Sequence, residues 1–119
     1  KKKNFYLNFF NFKKSIFPEE KIKICRLDNI IDFNEFKSID FLKIDTEGYD
    51  FHVMKGLGKL IKKVKYIYFE HHFHDMLKKD YTYFEVDNYL KQNNFKKVFK
   101  TKMFFRKTFE YIYSNNQLN

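Results

Sequence analysis

The feature that most constrains this chain is a double change of hydrophobic period between residues 39 and 69. Ile39–Asp45 (IDFLKID) is a short apolar run that stops at the polar turn Thr46-Glu47-Gly48, as a buried strand does on entering a turn. Directly afterwards Val53, Met54, Leu57, Leu60, Ile61 and Val64 recur at the spacing of one helical face, which predicts a helix from Tyr49 to Lys62. Val64–Phe69 (VKYIYF) returns to β-branched and aromatic residues and predicts a second strand. A strand, a helix and a strand in direct succession commit the chain to an α/β layered sheet, with right-handed crossovers wherever the strands pair in parallel.

The flanks extend this pattern. Ile22–Leu27 alternates apolar and polar residues and predicts a short strand. Asp28 suits a helix N-cap, and Leu27, Ile30 and Ile31 then predict a short helix to Phe33. Residues 1–21 mix Phe, Asn and Lys without a period and are interrupted by Pro18, an irregular lead-in whose aromatic side chains need a surface to cover. Thr82-Tyr83-Phe84-Glu85 fits a capping box and opens a helix to Gln92, with Val86, Tyr89 and Leu90 facing inward. Phe95–Phe99 and Phe109–Tyr113 predict two closing strands around a loop at Met103–Lys107. Gly56-Leu57-Gly58 lacks the third glycine of a dinucleotide fingerprint and lies within a predicted helix. It marks close packing or an interruption, not a phosphate cradle. Four strands with these helices look like half of a larger open sheet.

Composition narrows the function classes. A chain of 119 residues is one domain or part of one, and its 44% hydrophobic and 22% aromatic content excludes disorder. No run reaches the roughly 18 apolar residues of a membrane helix, and no membrane partner is expected. The lone Cys25 excludes an internal disulfide framework, points to a reducing, cytoplasmic setting and reads as a small buried residue. Of 24 basic side chains only Arg26 and Arg106 are arginine. Lys, Asn, Phe, Ile and Tyr are what AT-rich codons supply, so the formal charge of +9 reads as a solvated lysine surface ahead of a nucleic-acid patch.

Chemistry in an open α/β sheet belongs beyond the carboxyl ends of the strands. Two such ends are polar here: Asp45 and Glu47 after the first strand, and Glu70, His71 and His72 after the second. Lys43 shares a strand face with Asp45, and a lysine in a buried parallel strand needs a carboxylate, for which Asp45, Glu47 and Glu70 are available. The plainer interpretation is an ion pair that only fixes the loop. Glu70-His71-His72-Phe73-His74-Asp75 holds suitable metal ligands, but adjacent histidines on an extended segment point opposite ways and no HExxH or CxxC spacing is present, so no metal is expected. A histidine at the strand end acting as general base fits better. His52 reads as a surface or packing residue.

These residues resemble a known family. Leu27-Asp28-Asn29-Ile30-Ile31, then Phe41-Leu42-Lys43-Ile44-Asp45-Thr46-Glu47-Gly48-Tyr49-Asp50, then Val53-Met54-Lys55-Gly56 are similar to the LD, KIDxEG and V-L-K-G segments of the FkbM family of S-adenosylmethionine-dependent methyltransferases. Tyr66–Glu70 and Phe105–Tyr113 also look like it. The resemblance implies a Rossmann-like class I sheet of order 3-2-1-4-5-7-6 with an antiparallel last strand. Residues 22–119 would be its C-terminal half, strands four to seven with flanking helices. It implies S-adenosylmethionine as cofactor, with Asp45 and Lys43 near its methionine moiety, and Asp45, Glu47, Glu70 and His72 as catalytic residues. The acceptor would be a small hydroxylated metabolite such as a sugar. The first strand, the glycine-rich turn and the ribose-binding acid are expected upstream, so the chain alone is expected to be inactive and either unstable or oligomeric. The competing class is a non-catalytic, basic, aromatic-rich module that binds nucleic acid or an anionic surface.

Overall fold

Strand β2 (Val64–His72) lies between a parallel and an antiparallel neighbour, and the other elements are arranged around it. The computed structural model describes residues 21–74 and 76–118. Residues 1–20, nearly all of the irregular lead-in, and Asp75 of the histidine-rich run lie outside the described residues. The remaining elements are β1 (Ile39–Ile44), α1 (Asp50–Gly56), a 3₁₀ segment Gly58–Lys63, α2 (Tyr83–Gln92), β3 (Phe95–Lys102) and β4 (Thr108–Asn115). The sheet order is β1-β2-β4-β3. β1 runs parallel to β2 from Ile39 opposite Val64 to Ile44 opposite Phe69. β4 runs antiparallel to β2 from Tyr66 opposite Ser114 to His72 opposite Thr108. β3 runs antiparallel to β4, with a register shift between Lys97 and Phe99. The mixed α/β class is the expected one.

The core forms where the two periods meet. Ile44, Ile67, Phe69, Tyr111 and Tyr113 from the sheet pack with Met54, Leu57, Leu60, Ile61, Val86 and Leu90 from the helical segments. Each such side chain contributes roughly 1.5–3 kcal/mol on leaving water. Phe69 stacks on Tyr111 and Tyr113 at 5.3 and 5.8 Å, aromatic cross-strand packing that favours the β2–β4 pairing. The capping box is present at α2: Thr82 Oγ1 accepts from the Glu85 amide at 3.3 Å and Glu85 Oε2 accepts from the Thr82 amide at 2.7 Å. No helix among the described residues is long and apolar enough to cross a membrane.

Four local expectations are corrected. Ile22–Leu27 forms no strand; Ile22 and Ile24 are exposed, because alternation supplies side-chain parity but not a partner edge. Cys25 is consequently exposed, not buried. Asp28 does not cap a helix; it takes two hydrogen bonds from Arg26, at 2.9 and 2.6 Å, and only a 3₁₀ turn Leu27–Asn29 forms. The helix predicted over Tyr49–Lys62 is interrupted. Gly58 is left-handed at φ +51°, and a Cβ there would lie 2.0 Å from Asp28 Oδ2. The apolar face survives the break, since Met54, Leu57, Leu60 and Ile61 all remain buried.

Gly58→Ala is therefore expected to destabilise the chain by about 1–2 kcal/mol from the left-handed conformation alone, read as a lower urea midpoint. Gly56→Ala is the control, because a Cβ at Gly56 meets only ordinary contacts at 3.9 Å. Equal midpoints for the two variants would show that the left-handed turn is not required.

Candidate active site

The carboxyl ends of β1 and β2 lie side by side, and β1 runs directly into a tight turn. Asp50, 2% exposed, anchors it: Oδ1 accepts from the Thr46 amide and from Thr46 Oγ1, both at 3.0 Å. The Tyr81 hydroxyl approaches Oδ2 at 3.5 Å, and burial, with the Asp50 charge second, pushes the Tyr81 phenol up to about 12. The turn forces Glu47 to φ +49° and Gly48 to φ +99°. For glycine that conformation is unstrained; for a glutamate it is not.

β2 is longer than predicted, so Glu70, His71 and His72 lie inside the ladder, opposite Glu110, Phe109 and Thr108. Parity then separates the two histidines. His72 is 7% exposed; its Nδ1 is 2.9 Å from Thr108 Oγ1. Its Nε2 stands 3.7 Å from Glu47 Oε2 and 3.9 Å from Glu70 Oε2. Burial, and next the Asp45 charge, raise the Glu70 carboxyl, while His72 and Lys43 oppose the shift. Tyr68 donates to Glu110 Oε1 at 2.7 Å, and burial, helped by that carboxylate, raises its phenol.

His71 faces the other way, against Phe73, Tyr81 and Tyr83 at ring separations of 4.6, 5.9 and 5.7 Å. Its Nδ1 is buried without a hydrogen-bond partner among the described residues. Burial lowers its pKa to about 4. No group of three His, Cys, Asp or Glu among the described residues could hold a metal ion.

Lys43 and Asp45 pair at 3.0 Å, and this pair first of all raises the Lys43 ammonium. The expectation that Lys43 is buried is corrected, since its side chain is 56% exposed. β1 has a single strand neighbour among the described residues, and Phe41 on the same face is also exposed. Glu47, Glu70 and His72 thus converge, whereas Asp45 and Lys43 engage each other and reach Glu70 by charge. His52 bonds Asp80 at 2.7 Å and stacks on Tyr49, a surface role as expected. Thr108 and Glu110 were not singled out in the sequence, because only the β2–β4 register brings them beside His72 and Glu70.

A cleft of about 480 Å³ is lined by Glu47, His72, His74, Met76, Leu77, Phe105, Arg106 and Lys107, and by neither Asp45 nor Glu70. A second, of about 570 Å³, lies between residues 24–27 and the 49–56 segment and holds none of the four expected catalytic residues. An α/β sheet with a carboxylate-flanked histidine beneath a small-molecule-sized cleft defines a class of strand-end sites. Residues 4–97 match the methyltransferase FkbM domain, and the chain belongs to that family. No curated protein and no solved structure matches it.

Methyltransferases normally draw the methyl group from S-adenosylmethionine. The described residues suit only the amino-acid end of that molecule, whose ammonium a strand-end carboxylate such as Asp45 can receive. Gly48 packs against the 77–79 segment, where an added Cβ would meet Lys78 O and Lys79 Cγ at 3.4 Å.

Two outcomes are expected. Glu47→Gly removes the left-handed strain at the cost of glycine's extra chain entropy, a net gain of roughly 0.5–1 kcal/mol, read as a higher urea midpoint; a lower midpoint would mean that contacts of Glu47 outweigh the strain. His71 is depressed in the folded chain, so the unfolded chain binds the extra proton between about 4 and 6.5. Its contribution is complete above pH 6.5 and is lost as pH falls toward 4, by roughly 2–3 kcal/mol. His71→Phe should flatten the fall in urea midpoint between pH 6.5 and 4.5; an unchanged slope would exclude His71 as its origin.

Proposed function

We propose that this chain is the C-terminal half of a Rossmann-like class I methyltransferase domain that transfers the methyl group of S-adenosylmethionine to a hydroxyl of a small acceptor, such as a sugar. The observation that carries the reading is that His72, which lines the cleft together with Glu47, holds its Nε2 3.7 Å from Glu47 and 3.9 Å from Glu70. The order β1-β2-β4-β3 with β4 antiparallel supports it, being the order 4-5-7-6 of such a sheet. In this reading the glycine-rich turn and the ribose-binding acid belong to a preceding segment.

When bound, S-adenosylmethionine supplies an electrophilic methyl group on a sulfonium. The chain's residues prepare the oxygen that attacks it. In the tautomer that donates Nδ1–H to Thr108 Oγ1, 2.9 Å away, Nε2 of His72 carries the lone pair that accepts a proton. His72 would take the acceptor's hydroxyl proton as that oxygen attacks the methyl group S-adenosylmethionine would supply. Glu47 and Glu70 then stabilise the imidazolium at less than 4 Å. Asp45, held by Lys43, would receive the methionine ammonium. Thr108 is a positioning residue and Glu47, Glu70 and His72 are catalytic residues. The chemistry relies on placement and a base, with no covalent intermediate.

The test uses the longer protein that this reading requires, with labelled S-adenosylmethionine and a panel of hydroxylated acceptors. His72→Asn should lower turnover by about 10²–10⁴-fold with little change in cofactor binding, and Asp45→Ala should weaken cofactor binding and turnover together. Full turnover in His72→Asn would remove the base assignment. No cofactor binding by the longer protein would remove the methyltransferase reading itself.

A further inference from the structure

We infer that the β3–β4 turn carries an anion subsite: Arg106 and Lys107 receive a phosphate or carboxylate group of the acceptor while its hydroxyl sits at His72. The inference rests on the reading of the cleft as an acceptor site.

The two guanidinium groups of the chain are treated differently by the fold. Arg26 is neutralised by two hydrogen bonds to Asp28. The Arg106 side chain has no hydrogen-bond or ion-pair partner among the described residues, yet it lines the cleft together with Lys107. The backbone that presents them is held at several points. The Met103 amide donates to Thr108 O at 2.9 Å and the Arg106 amide to Met103 O at 3.3 Å. Lys107 O accepts from the Phe73 amide at 2.6 Å, tying the turn to the end of β2.

Between these anchors Phe105 is left-handed at φ +61° and its side chain is 95% exposed. A bulky residue is disfavoured in that conformation, and here its ring buries almost nothing that would offset the strain. What the turn achieves is placement. It sets two cations on the rim one and two residues before Thr108, whose hydroxyl holds His72. The cleft is therefore polarised, with cations on the β4 side and the carboxylate of Glu47 beside the histidine. Met76 and Leu77 supply apolar surface in the same cleft. A guanidinium fork beside an ammonium matches the geometry of phosphate or carboxylate oxygens. A neutral hydroxylated molecule would leave both cations without a counter-charge.

The test is a titration of the isotope-labelled longer protein with glucose 6-phosphate, glucuronate and glucose, followed at the backbone amides by NMR. Either anionic sugar is expected to shift the Phe105–Lys107 amides while glucose does not, and the tighter of the two identifies the anion as phosphate or carboxylate. Arg106→Gln, an exposed substitution, should weaken the anionic sugar by about tenfold or more. Failure of both anionic sugars to bind, equal binding of glucose, or unchanged affinity in Arg106→Gln would overturn the subsite. The readout is independent of methyl transfer. Anion binding at the turn with no transfer activity in the longer protein would support the subsite while removing the methyltransferase reading, and transfer activity in the longer protein without anion binding would do the reverse.

Discussion

The antiparallel pairing of β2 with β4 is the constraint on which the rest of the structure depends. Side chains of a strand alternate between faces, so the register that sets Phe69 against Tyr111 and His72 against Thr108 decides which residues enter the core and which reach the cleft. Ile67, Phe69 and His71 go one way; Tyr68, Glu70 and His72 go the other. A slip by one residue would bring His71 to Glu47 and turn His72 toward the aromatic side chains of the core. The stacked rings of Phe69, Tyr111 and Tyr113 resist that slip, so core packing fixes the parity of the chemistry.

The same alternation explains why two neighbouring histidines differ in character. His71 is surrounded by aromatic rings and stays neutral because nothing nearby compensates a buried charge adequately. His72 is almost as buried, yet it faces two carboxylates and a hydroxyl. Those carboxylates carry a cost. Glu70 is raised by burial and by the Asp45 charge, and Glu47 is held in a left-handed turn. Two unfavourable placements thus meet beside one histidine, Glu47 in the turn after β1 and Glu70 in the β2 ladder.

Much of this was legible in the sequence, for reasons particular residues make plain. The apolar face from Val53 to Val64 survived a helix break because burial depends on which side chains face the sheet, and both helix types keep them there. The capping box at Thr82 and Glu85 needs only local bonds, so a four-residue pattern suffices to specify it. The convergence of Glu47, Glu70 and His72 was legible because the ends of neighbouring parallel strands lie side by side. What local pattern could not give was partnership. Ile22–Leu27 alternates like a strand but has no edge to pair with, Lys43 is exposed because β1 has a single strand neighbour among the described residues, and Thr108 becomes relevant only through a pairing partner 36 positions away.

The two left-handed side chains in the cleft, Glu47 and Phe105, suggest how the site is kept open. Each sits at a turn anchored by bonds on both sides: Asp50 to Thr46 at one, Met103 to Thr108 and Phe73 to Lys107 at the other. A turn relaxed to ordinary dihedrals would redirect Glu47 away from His72 or Arg106 away from the rim. His72 itself cannot follow, because Thr108 and the strand ladder hold it. The fixed histidine and the two constrained turns therefore act as one unit. The ladder provides a rigid floor, and the strain is confined to short connections, the first of them tied to the core through the buried carboxylate of Asp50.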